Sequence, residues 1–527
     1  MTKPKFLTQY KILFAILLVA SGLRLWNLQN IPPHLRNDEA ALGYNAYSIL
    51  QTGKDEHGQF LPIVFQSFGD FKMGLYVYLA VPFISILGLN EVAVRIPSAL
   101  AGIISVWLIY EIVNLLFANI RLALISAFIF AISPVNVAFS RGAWEVNVSL
   151  TLTLAGIYFF LKAIYGKGSL LILSALFFGL TLLTSHTAKL STPIFVMILS
   201  ASFFNQLRKI NTKLILLSVL TGLVFVIPIL LTILMGQITR LTTLSIFSYQ
   251  SGYPLFQSIL NRWFSFYAPS SLFLSGDINP QHTAPNTGPF LFLDIVPLIV
   301  GIITLVRVGT KPQKLFVFLG LLLLSLPSAL TIEKVNFERI LPVFMPIIIL
   351  MAIGIDKLLE GFKKRFTNVL PFTLIFFYSL NYLYFLDQYF VHGPKKNDAW
   401  QYGYKQIVEK VNIFQSQYPQ ILVQQSYEHP YIFFLFYQKY DPEKYQRIVK
   451  DVFVPNKKGK DMGLVSRLDN IEFSDIDWSI RKPIHGVLYI MPVYKLDQQS
   501  KYYSSYKLVR EIKDLNGFPL FKIIETI

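Results

Sequence analysis

The sequence predicts a polytopic α-helical membrane protein, with about 11 transmembrane helices and a small α/β domain at the C-terminus. Three observations predict it. Of the 527 residues, 54% are hydrophobic and 15% charged, far more apolar than a soluble globular chain of this length. Apolar runs long enough to cross a hydrocarbon core of about 30 Å, which takes about 20 helical residues, recur from Lys11 to Leu386 and then stop. Beyond about His392 the pattern changes to short runs such as Ile421 to Gln424, Gly486 to Met491 and Leu520 to Ile524, with helix-like stretches at Tyr402 to Phe414 and Pro430 to Tyr437. The chain therefore divides into a membrane domain over 1–390, with outer loops 30–95 and 235–289, and a soluble α/β domain over 391–527.

The candidate spans are 11–29, 73–89, 96–117, 122–139, 147–165, 169–185, 190–205, 213–234, 290–306, 314–330, 340–356 and 367–386. The first follows Lys3, Lys5 and Lys11 and lacks a small-residue cleavage pattern, so it reads as a retained helix. Lys and Arg gather in short cytoplasmic loops, and this sets the orientation. The basic groups are the N-terminus, Arg121, Lys162 with Lys167, Arg208 to Lys213, Arg307 to Lys314, and Lys357 to Arg365. If every run crosses, the N-terminal cluster lies opposite all the others. Taking Gly74 to Leu89, with its Pro82 and Gly88, as interfacial or re-entrant puts every basic loop on the cytoplasmic side. The reading is a multi-pass protein of the plasma membrane, with the N-terminus cytoplasmic and the C-terminal domain extracytoplasmic.

This topology also accounts for the formal charge of +17. The basic residues sit in clusters between apolar runs and not on one amphipathic face, so nucleic acid is not the expected partner. The absence of cysteine excludes disulfides and thiolate metal sites and leaves the redox compartment open.

Candidate chemistry concentrates in the outer loops. The first carries His34, Arg36, Asn37, Asp38 and Glu39, then an amphipathic stretch Ala40 to Leu50, then Gly69, Asp70, Phe71 and Lys72. Adjacent carboxylates after a spanning helix suit a general base or a metal ligand. They equally suit a helix N-terminus, and the two roles are compatible. Arg141 with Glu145 lies between two spans, and Arg95, Lys189 and Arg339 stand at outer helix ends, where a basic residue runs against the charge rule and invites an anionic partner. Simple interfacial anchoring is the alternative for each of these cations. His186 and His282 also lie in outer loops, as candidate ligands or as solvated side chains. Carboxylates and cations together near headgroup depth suit transfer from a phosphate-linked donor.

At these residues the sequence resembles the GT-C class of membrane glycosyltransferases, in the bacterial branch related to protein O-mannosyltransferases and the lipid A aminoarabinose transferase. The marks are Asp38-Glu39-Ala40, Gly69-Asp70-Phe71-Lys72 with Gly74-Leu75-Tyr76, and Glu91 with Arg95-Ile96-Pro97-Ser98-Ala99 and Gly102. They continue with Ser133-Pro134, Ser140-Arg141 and Glu145, Asn336 to Pro342 around Arg339, and Trp400-Gln401-Tyr402-Gly403. The resemblance implies a mannosyltransferase-like hexosyltransferase that moves a sugar from a polyprenyl phosphate, with inversion, to an unidentified protein, lipid or glycan acceptor outside the cytoplasm. It implies Asp38 as catalytic base supported by Glu39, with Asp70 at an acidic position that orients the donor. Lys72, Arg95, Arg141, Lys189 and Arg339 become candidates for the donor phosphate, and Glu145, His186, Arg262 and His282 for acceptor or secondary roles. A divalent metal would draw on Asp70 and His282. Met73-Gly74 replaces the paired prolines common after the lysine, and Phe337-Glu338 stands where relatives often carry a His before the arginine, which bears on metal use. The rival readings are an oligosaccharide transferase of the same class, a transporter or flippase of lipid-linked substrates, and a structural or polysaccharide-binding protein.

Overall fold

The computed structural model describes residues 3–234, 245–248, 254–277, 279–333, 335–365, 369–396, 400–425, 429–454 and 464–527. Within the outer loop 235–289, residues 235–244, 249–253 and 278 thus lie outside the described residues. Two compact units emerge, one of Met1–Trp26 with Pro97–His392 and one of Asn27–Ile96 with Gly393–Ile527. Residues 27–96, which hold the first outer loop, fall in the same unit as the C-terminal segment.

The first unit is helical. Its helices include α1 (Lys3–Leu25), the greater part of a long helix Glu91–Phe117, and the run Ile120–Ile132, Pro134–Arg141, Glu145–Tyr165, Leu170–Leu182, Ala188–Ser202 and Thr212–Leu234. Later come Ile295–Val308, Lys311–Leu324, Phe344–Arg365 and Val369–Asp387. Each expected apolar run is therefore helical. Among the described residues, however, six helices are long and apolar enough to cross a membrane, or seven if a bent pair counts as one span. Val369–Asp387 adds a further apolar helix of 19 residues, and other expected runs form shorter helices. Leu170–Leu182 and Ala188–Ser202 have 13 and 15 residues, and at 1.5 Å per residue they reach roughly 20 Å, short of a core of about 30 Å. Leu75–Leu87, with Pro82 inside, has 13 residues and the same deficit.

The bent pair is Ile120–Ile132 with Pro134–Arg141, which turn by 55° at Ser133. Proline cannot continue a helix donor ladder, and the break leaves carbonyls unpaired. Arg24, from α1, answers it: Nη1 donates to the Ala131 carbonyl at 2.9 Å and Nε to Ser140 Oγ at 3.2 Å. Elsewhere, Gly301 and Gly354 let Ile295–Val308 and Phe344–Arg365 approach backbone to backbone, since a Cβ on either would collide with the Leu350 or Pro297 carbonyl. Small residues serve this purpose where lipid supplies no hydrophobic drive.

The second unit is mixed. Helix α2 (Asn37–Thr52) is followed by the antiparallel hairpin β1 (Val64–Ser67) and β2 (Asp70–Met73), closed by Phe68 and Gly69, both at positive φ, and then by α3 (Leu75–Leu87). The C-terminal segment builds a six-stranded sheet. Its strands are β3 (Ile421–Gln424), then, after the short pair β4 (Phe453–Val454) and β5 (Leu464–Val465), β6 (Arg467–Leu468), β7 (Ile471–Ser474), β8 (Leu488–Pro492), β9 (Tyr506–Lys513) and β10 (Pro519–Thr526). The order is β6-β7-β3-β8-β10-β9, with β3 parallel to β7 and β8 and the other pairs antiparallel. The three expected strands and both expected helices of this segment are present, within two residues at each end.

Helix α2 joins this segment because its faces are built for it. Gly43 leaves room for the Phe436 ring, which a Cβ would meet at 2.6 Å. Tyr44 donates its hydroxyl to the Tyr440 carbonyl at 3.1 Å, and Gln446 reaches Ser48 and Thr52 at 3.0 Å each. Paired polar groups make such burial affordable in free energy.

Candidate active site

Asp38 occupies the first turn of α2, where a negative group complements the helix dipole. Its Oδ1 is bonded by Lys72 Nζ and its Oδ2 accepts from Arg36 Nη2 at 3.2 Å. Alternation along β2 sends Asp70 and Lys72 to the same face. The ammonium of Lys72 is itself nearly buried, 5.3 Å from the centroid of the Phe68 ring. The Asp38 side chain keeps 34% exposure, so an acceptor-only carboxylate, gripped by two cations, stays open to a ligand.

Glu39 has a different task. Its Oε2 accepts the Arg36 amide at 3.0 Å, the reach-back half of a capping box. Its Oε1 accepts from Arg95 Nε at 3.1 Å. Arg95, expected to meet a donor phosphate, is fully buried and spent: Nη1 donates to the Leu28 and Pro32 carbonyls at 3.0 and 2.9 Å, and Nη2 to the His34 carbonyl at 2.6 Å and to Glu39. Such a set fixes the segment ahead of α2 and leaves no face for an outside anion.

His34 completes this support. Its Nε2 accepts the Lys405 amide at 3.0 Å and its Nδ1 lies 2.6 Å from the Leu35 carbonyl, which makes Nδ1 the protonated nitrogen of a neutral ring. Burial pushes its pKa down to about 4. Lys405 pairs with Glu91 at 2.8 Å, and Gln401 Oε1 accepts the Asn37 amide at 2.8 Å at the start of α2. The Trp400 to Gly403 string therefore acts by holding the helix that presents Asp38.

In the other unit, Arg141 is buried and donates to the Leu23 and Trp26 carbonyls at 2.7 Å each, with the Phe390 ring 4.8 Å from its guanidinium carbon. It caps the C-terminal end of α1, where a cation is favoured. Glu145 opens its helix as a first-turn acid. Lys189 Nζ lies 3.3 Å from His186 Nδ1, Arg262 donates to the Ile332 carbonyl, and Arg339 pairs with Glu333 at 3.0 Å. His282 is buried, with Nδ1 2.5 Å from Asp277 Oδ2 and Nε2 4.0 Å from Glu338. Asp277 also accepts the Phe337 amide at 2.5 Å, so this node ties the 277–282 loop to the turn carrying Arg339.

The His282 Nδ1 is engaged by Asp277 Oδ2 at 2.5 Å. Among the described residues, no group of three or more His, Cys, Asp or Glu is arranged to hold a metal ion.

Three groups went unassigned in the sequence: Arg36 as the second cation on Asp38, Arg24 at the broken helix, and Glu56 buried behind the hairpin. Arg24 carried a signal, being a charge inside an apolar run. Arg36 was legible only as one of the charges of the first outer loop, and Glu56 carried no signal.

The sequence model described as dolichyl-phosphate-mannose-protein mannosyltransferase matches residues 75–231. That match begins just beyond Lys72. A search of curated protein sequences returned no match. Among solved structures, the chain is similar to ArnT from Cupriavidus metallidurans bound to undecaprenyl phosphate, at 13% identity and a TM-score of 0.57, over 99% of this chain and 98% of that one. The apo form of the same protein gives 12% identity and a TM-score of 0.56 over the same shares. It is also similar to the oligosaccharyltransferase AglB from Archaeoglobus fulgidus in complex with an inhibitory peptide and a dolichol-phosphate, at 12% identity and a TM-score of 0.51, over 82% of this chain and 64% of that chain.

Proposed function

We propose that this chain, which has the fold of the GT-C membrane glycosyltransferases, transfers a sugar from a polyprenyl-phosphate-linked donor to an acceptor on the extracytoplasmic side of the membrane. The observation that carries the reading is the partly exposed Asp38 carboxylate held between Lys72 and Arg36. The family match and the lipid phosphates bound by two structural neighbours support it.

In this mechanism Asp38 Oδ1 or Oδ2 takes the proton from the acceptor hydroxyl as its oxygen attacks the anomeric carbon. The glycosidic C–O bond to phosphate breaks in the same displacement, with inversion and an oxocarbenium-like transition state. Lys72 and Arg36 release part of their hold on Asp38 to meet the negative charge growing on the phosphate. The departing lipid phosphate needs no proton, so one base suffices. Arg95, Glu39 and His34 act beneath this pair by fixing the start of α2, and Asp70 shares the Lys72 face of β2 as a donor-orienting carboxylate.

The test is transfer by the purified protein in lipid vesicles, using undecaprenyl-phosphate-linked radiolabelled mannose and a membrane or envelope extract as acceptor. Label passing to an acceptor supports the reading. Label that only crosses the bilayer, still on its lipid, supports the transport reading instead.

A further inference from the structure

Glu56 lies between α2 and β1 and is completely buried. Its Oε1 accepts from Ser67 Oγ at 2.7 Å and from Asn45 Nδ2 at 3.1 Å, and its amide donates to Asn45 Oδ1 at 3.0 Å. Its Oε2 is also buried and has no hydrogen-bond partner among the described residues. A carboxylate in such a place leaves charge unmet, whereas the neutral acid fits its surroundings. The groups facing it are Tyr44 and Asn45 from α2, the neighbouring Asp55, Ser67 from β1, Lys72 from β2, and Tyr431 and Tyr445 from the helices Tyr431–Tyr437 and Pro442–Val452. Lys72 is the cation whose field acts on Glu56.

We propose that Glu56 is a proton-linked partner of the Lys72 site: when a lipid phosphate binds Lys72, the Glu56 carboxylate takes up one proton from solvent, so ligand binding and protonation of Glu56 are coupled. The inference rests on the reading of Lys72 as a phosphate-binding group. The Lys72 charge favours the Glu56 anion, and an anionic ligand cancels that field. Burial has already pushed the Glu56 carboxyl up to about 7, against the pull of Ser67, Asn45 and Lys72, so it is divided between its two forms near neutral pH. By linkage, whatever raises its proton affinity on binding makes the ligand bind more weakly as pH rises. Asp38 remains the base, and Glu56 is a positioning residue that touches no reacting atom.

The experiment is calorimetric titration of the full-length protein in detergent with undecaprenyl phosphate, near pH 7, in two buffers of different ionisation enthalpy. Wild type, E56Q and K72M are compared. The wild type should take up more protons per ligand than E56Q, and its affinity should fall several-fold more steeply with pH, the limit for one proton being about tenfold per pH unit. K72M should bind weakly. An E56Q protein with the wild-type proton count, alongside weakened K72M, overturns the coupling alone. K72M binding like wild type overturns the phosphate role of Lys72 and the coupling with it. Should E56Q fail to fold, infrared spectra of wild type with isotope-labelled glutamate decide: a protonated-carboxyl band that does not grow when undecaprenyl phosphate is added overturns the proposal.

Discussion

Arg95 Nε lies 3.1 Å from Glu39 Oε1, and both side chains are almost completely buried. An ion pair in that setting is tolerated because the remaining donors of the guanidinium meet the Leu28, Pro32 and His34 carbonyls and Glu39 Oε2. Arg95→Met is expected to destabilise the protein by about 3–5 kcal/mol, through the uncompensated Glu39 charge. Thermal unfolding in detergent measures it, and adding Glu39→Gln should recover part of the loss. A wild-type midpoint with weakened donor binding would return Arg95 to the phosphate role.

Lys72 is expected to behave in the opposite way. Lys72→Met should weaken undecaprenyl phosphate binding by roughly ten- to a hundredfold, the worth of one charge-assisted hydrogen bond of about 1.5–3 kcal/mol. Lys72→Arg should retain most of the affinity. Binding isotherms on the three proteins check this.

The neutral His34 imposes a pH dependence on stability. Its pKa falls from the ordinary 6.5 to about 4 on burial, so in that window the unfolded chain binds a proton that the folded one refuses. Stability should therefore be intact above about pH 6.5 and decline as pH falls toward 4, by up to about 3 kcal/mol. His34→Gln should flatten this decline in unfolding midpoints recorded across that range.

Arg24→Met should destabilise the bent pair of helices, since the Ala131 carbonyl and Ser140 hydroxyl lose a partner at about 1–3 kcal/mol each. A lower unfolding midpoint is expected, with partial rescue by Arg24→Lys.

The architecture was legible where a signal repeats along the chain. Apolar runs marked the helices from Lys3–Leu25 to Val369–Asp387, and short apolar runs marked β3, β8 and β10. Asp38 beside Lys72 was legible as a pair of charge types in one loop, 34 residues apart. The fates of Arg95 and Arg141 were not, because a cation near a helix end looks the same whether it meets a ligand or a row of backbone carbonyls. Nor did any local signal announce that α2 packs on Phe436 and Gln446, a pairing that depends on residues nearly 400 positions apart.

The central claim is that Asp38 acts as the base, and the turnover of Asp38→Asn tests it most directly. In the lipid-vesicle transfer assay, that variant should lose about two orders of magnitude or more in turnover while still binding undecaprenyl phosphate. Turnover equal to wild type in a protein of unchanged fold would contradict the account.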